Sequence, residues 1–202
     1  MANYFLMDCQ SPLRKMHYTL QVESPARDKS WQQGTAFRAD AEWDDEQPPH
    51  EPILVSTALE SIDKDKFVYP ELTWVPIPLM TRRLVAALRA AGIDNLQTFE
   101  TRLSGAQDDR PAPEDFYLAV NIIGLISAVD PQKARKAPEA DEAMISADYD
   151  ALAIDAVSAH DLFIFRLAEN TSAVIVHEKI KAAVGTAGID SLTWLRPEEW
   201  AG

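Results

Sequence analysis

The stretch LVAALRAAGIDNLQTF, from Leu84 to Phe99, returns as IKAAVGTAGIDSLTWL from Ile180 to Leu195, with seven of sixteen positions identical at one constant offset. In the first copy Leu84, Val85, Leu88 and Ala91 recur at helical spacing. Thr81 is placed to cap the helix, and Gly92 falls where a left-handed residue ends one. Ile93 and Leu96 then fold back over the helix end, and LQTFETRL continues as a strand. The second copy repeats this grammar: the apolar run AVIV, a helix through Ile180 and Val184, Gly188 as its stop, then LTWL. A repeated AGID could also be a ligand-gripping glycine loop. The shared flanks favour architecture instead, with Gly92 and Gly188 as helix C-caps at positive φ.

Before the first copy, YFLM (Tyr4 to Met7) and HYTLQV (His17 to Val22) are short aromatic or β-branched runs bounded by Pro and Ser, and predict a small sheet. From Ala39 to Ile62 the chain turns acidic and proline-rich, which predicts a solvated loop, and Pro70, Pro76 and Pro78 extend the punctuation. Between the copies, FYLAVNIIGLISAVD (Phe116 to Asp130) predicts a strand in its first half. DLFIFRLA and SAVIV, around the polar ENTS, predict a strand pair joined by a turn. The expected class is α+β, a mixed or antiparallel sheet with helices and two helix-turn-strand units in the C-terminal portion. Residues 1–75 form a strand-rich lobe with an acidic loop and residues 76–202 a second lobe, in one continuous fold.

A chain of 202 residues that is 47% hydrophobic, with five Trp, can bury a real core. Its formal charge of −13 disfavours nucleic acid and anionic membrane, which are bound through Lys/Arg patches; a basic protein partner fits better. The single cysteine, Cys9, excludes an internal disulfide framework and multi-cysteine metal sites. MANYFLMDCQSPLRK lacks the basic n-region and long apolar run of a signal peptide, so a cytoplasmic location is expected.

Chemistry is scarce. No GxSxG, Walker, GxGxxG or CxxC motif occurs, so no catalytic residue, metal site or cofactor is expected. His160-Asp161 resembles the HD pair of some metal phosphohydrolases, but those need further His and Asp ligands on neighbouring helices, and here the pair opens a predicted strand. His177-Glu178 begins an HExx sequence that ends in Lys181, without its second ligand. Acid pairs such as Asp44 with Glu46, or Asp148 with Asp150, would serve acid/base chemistry only if buried. Trp43, Trp74, Trp194 and Trp200 have no interleaved Lys/Arg for stacking on single strands. Most of them read as core, with Trp43 the exception.

Two stretches hold many acids and no Lys or Arg: Ala39 to Asp63 with eight, and Ala137 to Phe165 with seven. A solvated face explains them. So does a surface facing a basic protein, with Asp44, Asp45, Glu46, Glu139, Asp141 and Glu142 steering the encounter and Trp43 as an apolar anchor.

LVAALRAAGIDNLQTFE, FYLAVNIIGLISAVD, DLFIFRLAENTSAVIVHEKIKAAV and GIDSLTWLRPEEW together resemble the Imm11 type of immunity protein from bacterial polymorphic toxin and type VI secretion systems, over about Pro76 to Trp200. The resemblance implies a small cytosolic antidote that binds and blocks a toxin delivered to rival cells, with no catalytic residues to carry over. Because toxins that attack nucleic acid are commonly basic, a nucleic-acid-targeting partner is a first expectation. The alternatives are a hydrolase that reverses a toxin's modification and an acidic adaptor for an effector; the sequence leaves oligomeric state open.

Overall fold

A computed structural model of the chain describes residues 3–8, 18–22, 30–43, 46–59, 69–74, 77–104, 113, 115–137 and 147–200. The fold is α+β and dominated by sheet. One six-stranded sheet has the order β2-β3-β6-β7-β5-β4, from β2 (Tyr18–Val22), β3 (Ile53–Leu59), β4 (Leu72–Thr73), β5 (Leu79–Thr81), β6 (Leu96–Ser104) and β7 (Tyr117–Ile122). A five-stranded sheet has the order β13-β1-β12-β11-β8, from β1 (Tyr4–Asp8), β8 (Leu125–Ile126), β11 (Ile164–Leu167), β12 (Asn170–His177) and β13 (Thr193–Leu195). β9 (Arg135–Lys136) and β10 (Tyr149–Ala151) make a separate ribbon. The helices are α1 (Arg82–Ala90) and α2 (Glu178–Thr186).

The repeated stretch is one supersecondary unit used twice. In the first, hairpin β4–β5 runs into α1 and returns as β6, while β7 lies between β5 and β6, antiparallel to both. In the second, hairpin β11–β12 runs into α2 and returns as β13, while β1 lies between β12 and β13, antiparallel to both. Each is a strand-helix-strand unit split by a strand from elsewhere. Each has its own sheet, where one shared sheet had been the expectation. The helices pack on each other. Leu84, Val85 and Leu88 of α1 and Ile180 and Val184 of α2 join inward residues of both sheets, such as Val120 and Val176, in the main core.

AGID terminates both helices by the same hydrogen bonds. After C-cap Ala91, Gly92 (φ 95°) donates its N–H to the Arg89 carbonyl at 3.0 Å and Ile93 donates to Leu88 at 3.2 Å. After C-cap Ala187, Gly188 (φ 73°) donates to Gly185 at 3.0 Å and Ile189 to Val184 at 3.2 Å. These paired bonds are the Schellman motif, and Ile93 and Ile189 bury in the main core as its apolar partner. A Cβ on Gly188 would meet nothing within 4 Å, and one on Gly92 only Phe163 at 3.6 Å. Alanine at either site is therefore expected to cost about 1–2 kcal/mol from backbone alone, read by urea unfolding. A loss of function in Gly188→Ala at unchanged stability would show the glycine to be a contact residue instead.

The helix starts differ. Thr81 accepts from the Leu84 N–H at 3.1 Å and donates its hydroxyl to the carboxylate of Glu71, which also pairs with Arg83. α2 is capped by His177, whose Nδ1 accepts from the Lys179 N–H at 3.1 Å, so its ring proton sits on Nε2. The residue that looked like half a zinc motif is a helix cap.

Four further expectations change. The two N-terminal runs do not share a small sheet: β1 pairs with β12 and β13, and β2 with β3 in the other sheet. β3 lies inside the region whose acids and prolines predicted a loop: Ile53 and Val55 are fully buried while Leu54 between them is exposed, the alternation of a strand. Averaging ILVSTAL with its acidic flanks hid that pattern. The β11–β12 turn is Ala168-Glu169, and Asn170-Thr171-Ser172 already belongs to β12: Asn170 pairs with Leu167, and its buried side chain donates to the Ala147 carbonyl at 3.1 Å. His160-Asp161 opens no strand. It lies in a turn with both residues left-handed, at φ 51° and 56°.

A strap closes the outer face of the six-stranded sheet. Gly34 accepts from the Gly124 N–H at 2.8 Å, Asn121 donates to the Thr35 carbonyl at 2.7 Å, and Gln97 holds Phe37 by accepting from its N–H and donating to its carbonyl. Trp31, Phe37 and Phe99 meet edge to face beneath it, with ring centroids 4.9 to 5.5 Å apart.

Candidate interaction surface

The strap leads directly into the loop that carries Trp43. Its ends are tied by Arg38 donating its N–H to the Glu46 carbonyl at 2.8 Å. Inside it, Ala41 donates to Arg38 at 3.1 Å, Glu46 to Trp43 at 3.0 Å, and the Gln47 side chain to Ala41 at 3.0 Å. The Arg38 guanidinium bonds Asp40 and holds that carboxyl below the usual carboxylate range. On this closed loop the Trp43 side chain is 66% exposed, whereas Trp74, Trp194 and Trp200 are half-buried. A large aromatic held out on a tied loop loses little conformational freedom when a partner covers it.

Glu46 is exposed at the loop's end. Asp44, Asp45, Glu139, Asp141 and Glu142 lie outside the described residues. Of the other acid pairs, Asp148 and Asp150 are exposed, and Asp150 reaches Arg135 at 3.3 Å. His160-Asp161 gains no further ligands: among the described residues no group of three or more His, Cys, Asp or Glu side chains is placed to hold a metal.

The sequence reading missed a second exposed region. Of the five exposed large apolar side chains among the described residues, three fall on two segments: Leu125 after Gly124, and Val157 and Leu162 around the left-handed turn. The turn is built by Asp155, whose carboxylate accepts from the Ser158 hydroxyl at 2.6 Å and the Val157 N–H at 3.1 Å. The Ser158 hydroxyl, then that backbone N–H, keep its carboxyl below the usual range. Exposed apolar side chains rimmed by polar groups mark interaction surfaces. Only the apolar run LFIF beside an Asp-rich segment hinted at this one.

The family profile of the immunity proteins of type Imm11 matches residues 64–197. The chain belongs to the Imm11 immunity protein family. No curated protein matches it. As an Imm11 protein it has an immunity role against toxins. The match spans both strand-helix-strand units apart from β1, together with the left-handed turn and its apolar neighbours; the Trp43 loop lies before it. Among the described residues no helix is long and apolar enough to cross a membrane.

Proposed function

We propose that this Imm11 protein works in the cytosol as a stoichiometric antidote, binding a cognate secreted toxin and blocking it by steric cover and charge, without chemistry of its own. The family match over residues 64–197 carries this reading. It is supported by the net charge of −13 and the two base-free acidic stretches. Such a surface suits a basic toxin of the kind that acts on nucleic acid, because opposite potentials raise the encounter rate. The tied loop adds an anchor, with Trp43 followed in sequence by Asp44, Asp45 and Glu46.

The test is co-expression with the toxin encoded beside the gene, followed by titration of toxin activity. Protection that saturates at one equivalent supports the reading; protection at a small fraction of an equivalent, lost in His160→Ala with binding intact, supports the repair hydrolase instead. Asp44, Asp45 and Glu46 replaced by Asn and Gln should slow association several-fold at low salt and have little effect at high salt. Trp43→Ala should speed dissociation about tenfold. Stopped-flow rates equal to the parent's in both variants would remove this loop from the interface.

A further inference from the structure

Where the first AGID meets the left-handed turn, the surface folds into a partly open hollow of about 270 Å³. This is below the roughly 300 Å³ at which small-molecule pockets begin, and suits one side chain. Asp94, Asn95, Gly124, Asp161 and Phe163 line it, and Phe165 borders it with its ring fully buried against Tyr4. No lining residue is a cation.

Five of the eleven residues lining the hollow have their backbone donors already committed. The backbone N–H groups of Gly92, Ile93, Ile123, Gly124 and Leu162 are taken by Arg89, Leu88, Asn95, Gly34 and Ala159. Asn95 commits its side-chain NH2 to the carbonyls of Ile123 and Ile164, which leaves Oδ1 as its remaining group. Both carboxylates are exposed. Lys179 already approaches the Phe163 ring, with its Nζ 5.7 Å from the ring centroid. Tyr4 feels Asp161, but burial first and that charge second push its hydroxyl above the ordinary value, so it stays neutral. Carboxylates and an amide oxygen beside the partly exposed Phe163 ring describe a seat for a flat cation with many donors. A guanidinium meets this better than an ammonium, because it stacks on rings while its edge forks onto carboxylates. Leu162, exposed at the wall, supplies an apolar neighbour that would help exclude water from such a contact.

We propose that this hollow seats an arginine side chain presented by the toxin. The proposal rests on the toxin-binding reading above and names a second contact, apart from Trp43. Its test uses the intact protein with Asp94→Asn and Asp161→Asn combined. Asn is, after Gly, the residue that best tolerates the left-handed backbone at position 161, so the melting temperature should hold. Titrating Nα-acetyl-arginine amide against a ¹⁵N-labelled sample should give saturable shifts centred on the amides of Gly92, Asn95, Gly124 and Leu162, weakened at least about threefold in the double variant. An equal response to Nα-acetyl-lysine amide overturns the guanidinium assignment, and shifts elsewhere, or unchanged in the variant, overturn the site. With the toxin, the double variant should bind about tenfold or more weakly; unchanged affinity removes the hollow from the interface. A parent protein that bound no toxin would sink the antidote reading, while the arginine titration would still decide the hollow's chemistry.

Discussion

Replacing Trp31 by Ala is expected to lower the unfolding free energy by about 3–5 kcal/mol. Trp31 is 1% exposed and meets Phe37 at 4.9 Å and Phe99 at 5.4 Å edge to face. Truncation removes the transfer free energy of the indole, leaves a void among rings that cannot close over it, and ends two aromatic contacts worth about 0.5–1.5 kcal/mol each beyond burial. The loss also reaches the surface: Phe37 precedes Arg38, whose N–H ties the Trp43 loop. Urea unfolding with an unchanged m-value measures the loss. A deficit under about 1 kcal/mol would mean that the strap is held by the Gln97 and Asn121 hydrogen bonds rather than by the aromatic cluster beneath it.

Gly34→Ala should be the costliest of the glycine substitutions, at about 2–5 kcal/mol. Gly34 sits at φ 69°, which asks about 1–2 kcal/mol of any residue with a Cβ. That Cβ would also stand 3.0 Å from the Gly124 carbonyl oxygen and 3.1 Å from its carbon. Both are backbone atoms, fixed because the Gly124 N–H is bonded to Gly34 itself and its carbonyl accepts from the Arg166 N–H. Relief requires moving the strap off the sheet, an overpacking cost of about 1–3 kcal/mol. Gly188→Ala is the control, since it meets the same backbone penalty with open space around the Cβ. Equal losses at the two sites would show that the close approach of the two glycines contributes nothing.

What could be read from residue order was what is local. Thr81, the apolar spacing of α1 and Gly92 act within a few residues of one another, so the helix and its stop were legible, and the second copy doubled the signal. β12 and β6 were equally plain, since β-branched and aromatic runs carry their own periodicity. β3 was lost because its seven residues sit among acids and prolines that dominate any wider window. The strap escaped for a different reason: Gln97 and Asn121 reach backbone 60 and 86 residues away, and nothing in a neighbouring residue marks such a partner. The hollow was divided in the same way. Asp94 and Asn95 read as the tail of a helix stop and Asp161 as half of a metal pair, and only the fold places them around one space.

The two units differ in where their central strand comes from. β7 follows its unit in the chain, so the six-stranded sheet can assemble as residues 18–122 emerge from the ribosome. β1 is made first, yet it pairs only with β12 and β13, and Asn3 reaches Glu178 across 175 residues. This is a contact of very high order, and loop closure across such a distance slows folding. The five-stranded sheet therefore waits for synthesis to pass Leu195, and until then β1 is an unpaired edge that a chaperone or a second chain could engage. The walls supplied by β11 belong to that late sheet. The arginine seat is thus completed only in finished molecules, and a truncated product ending before β12 would carry the Trp43 loop without it.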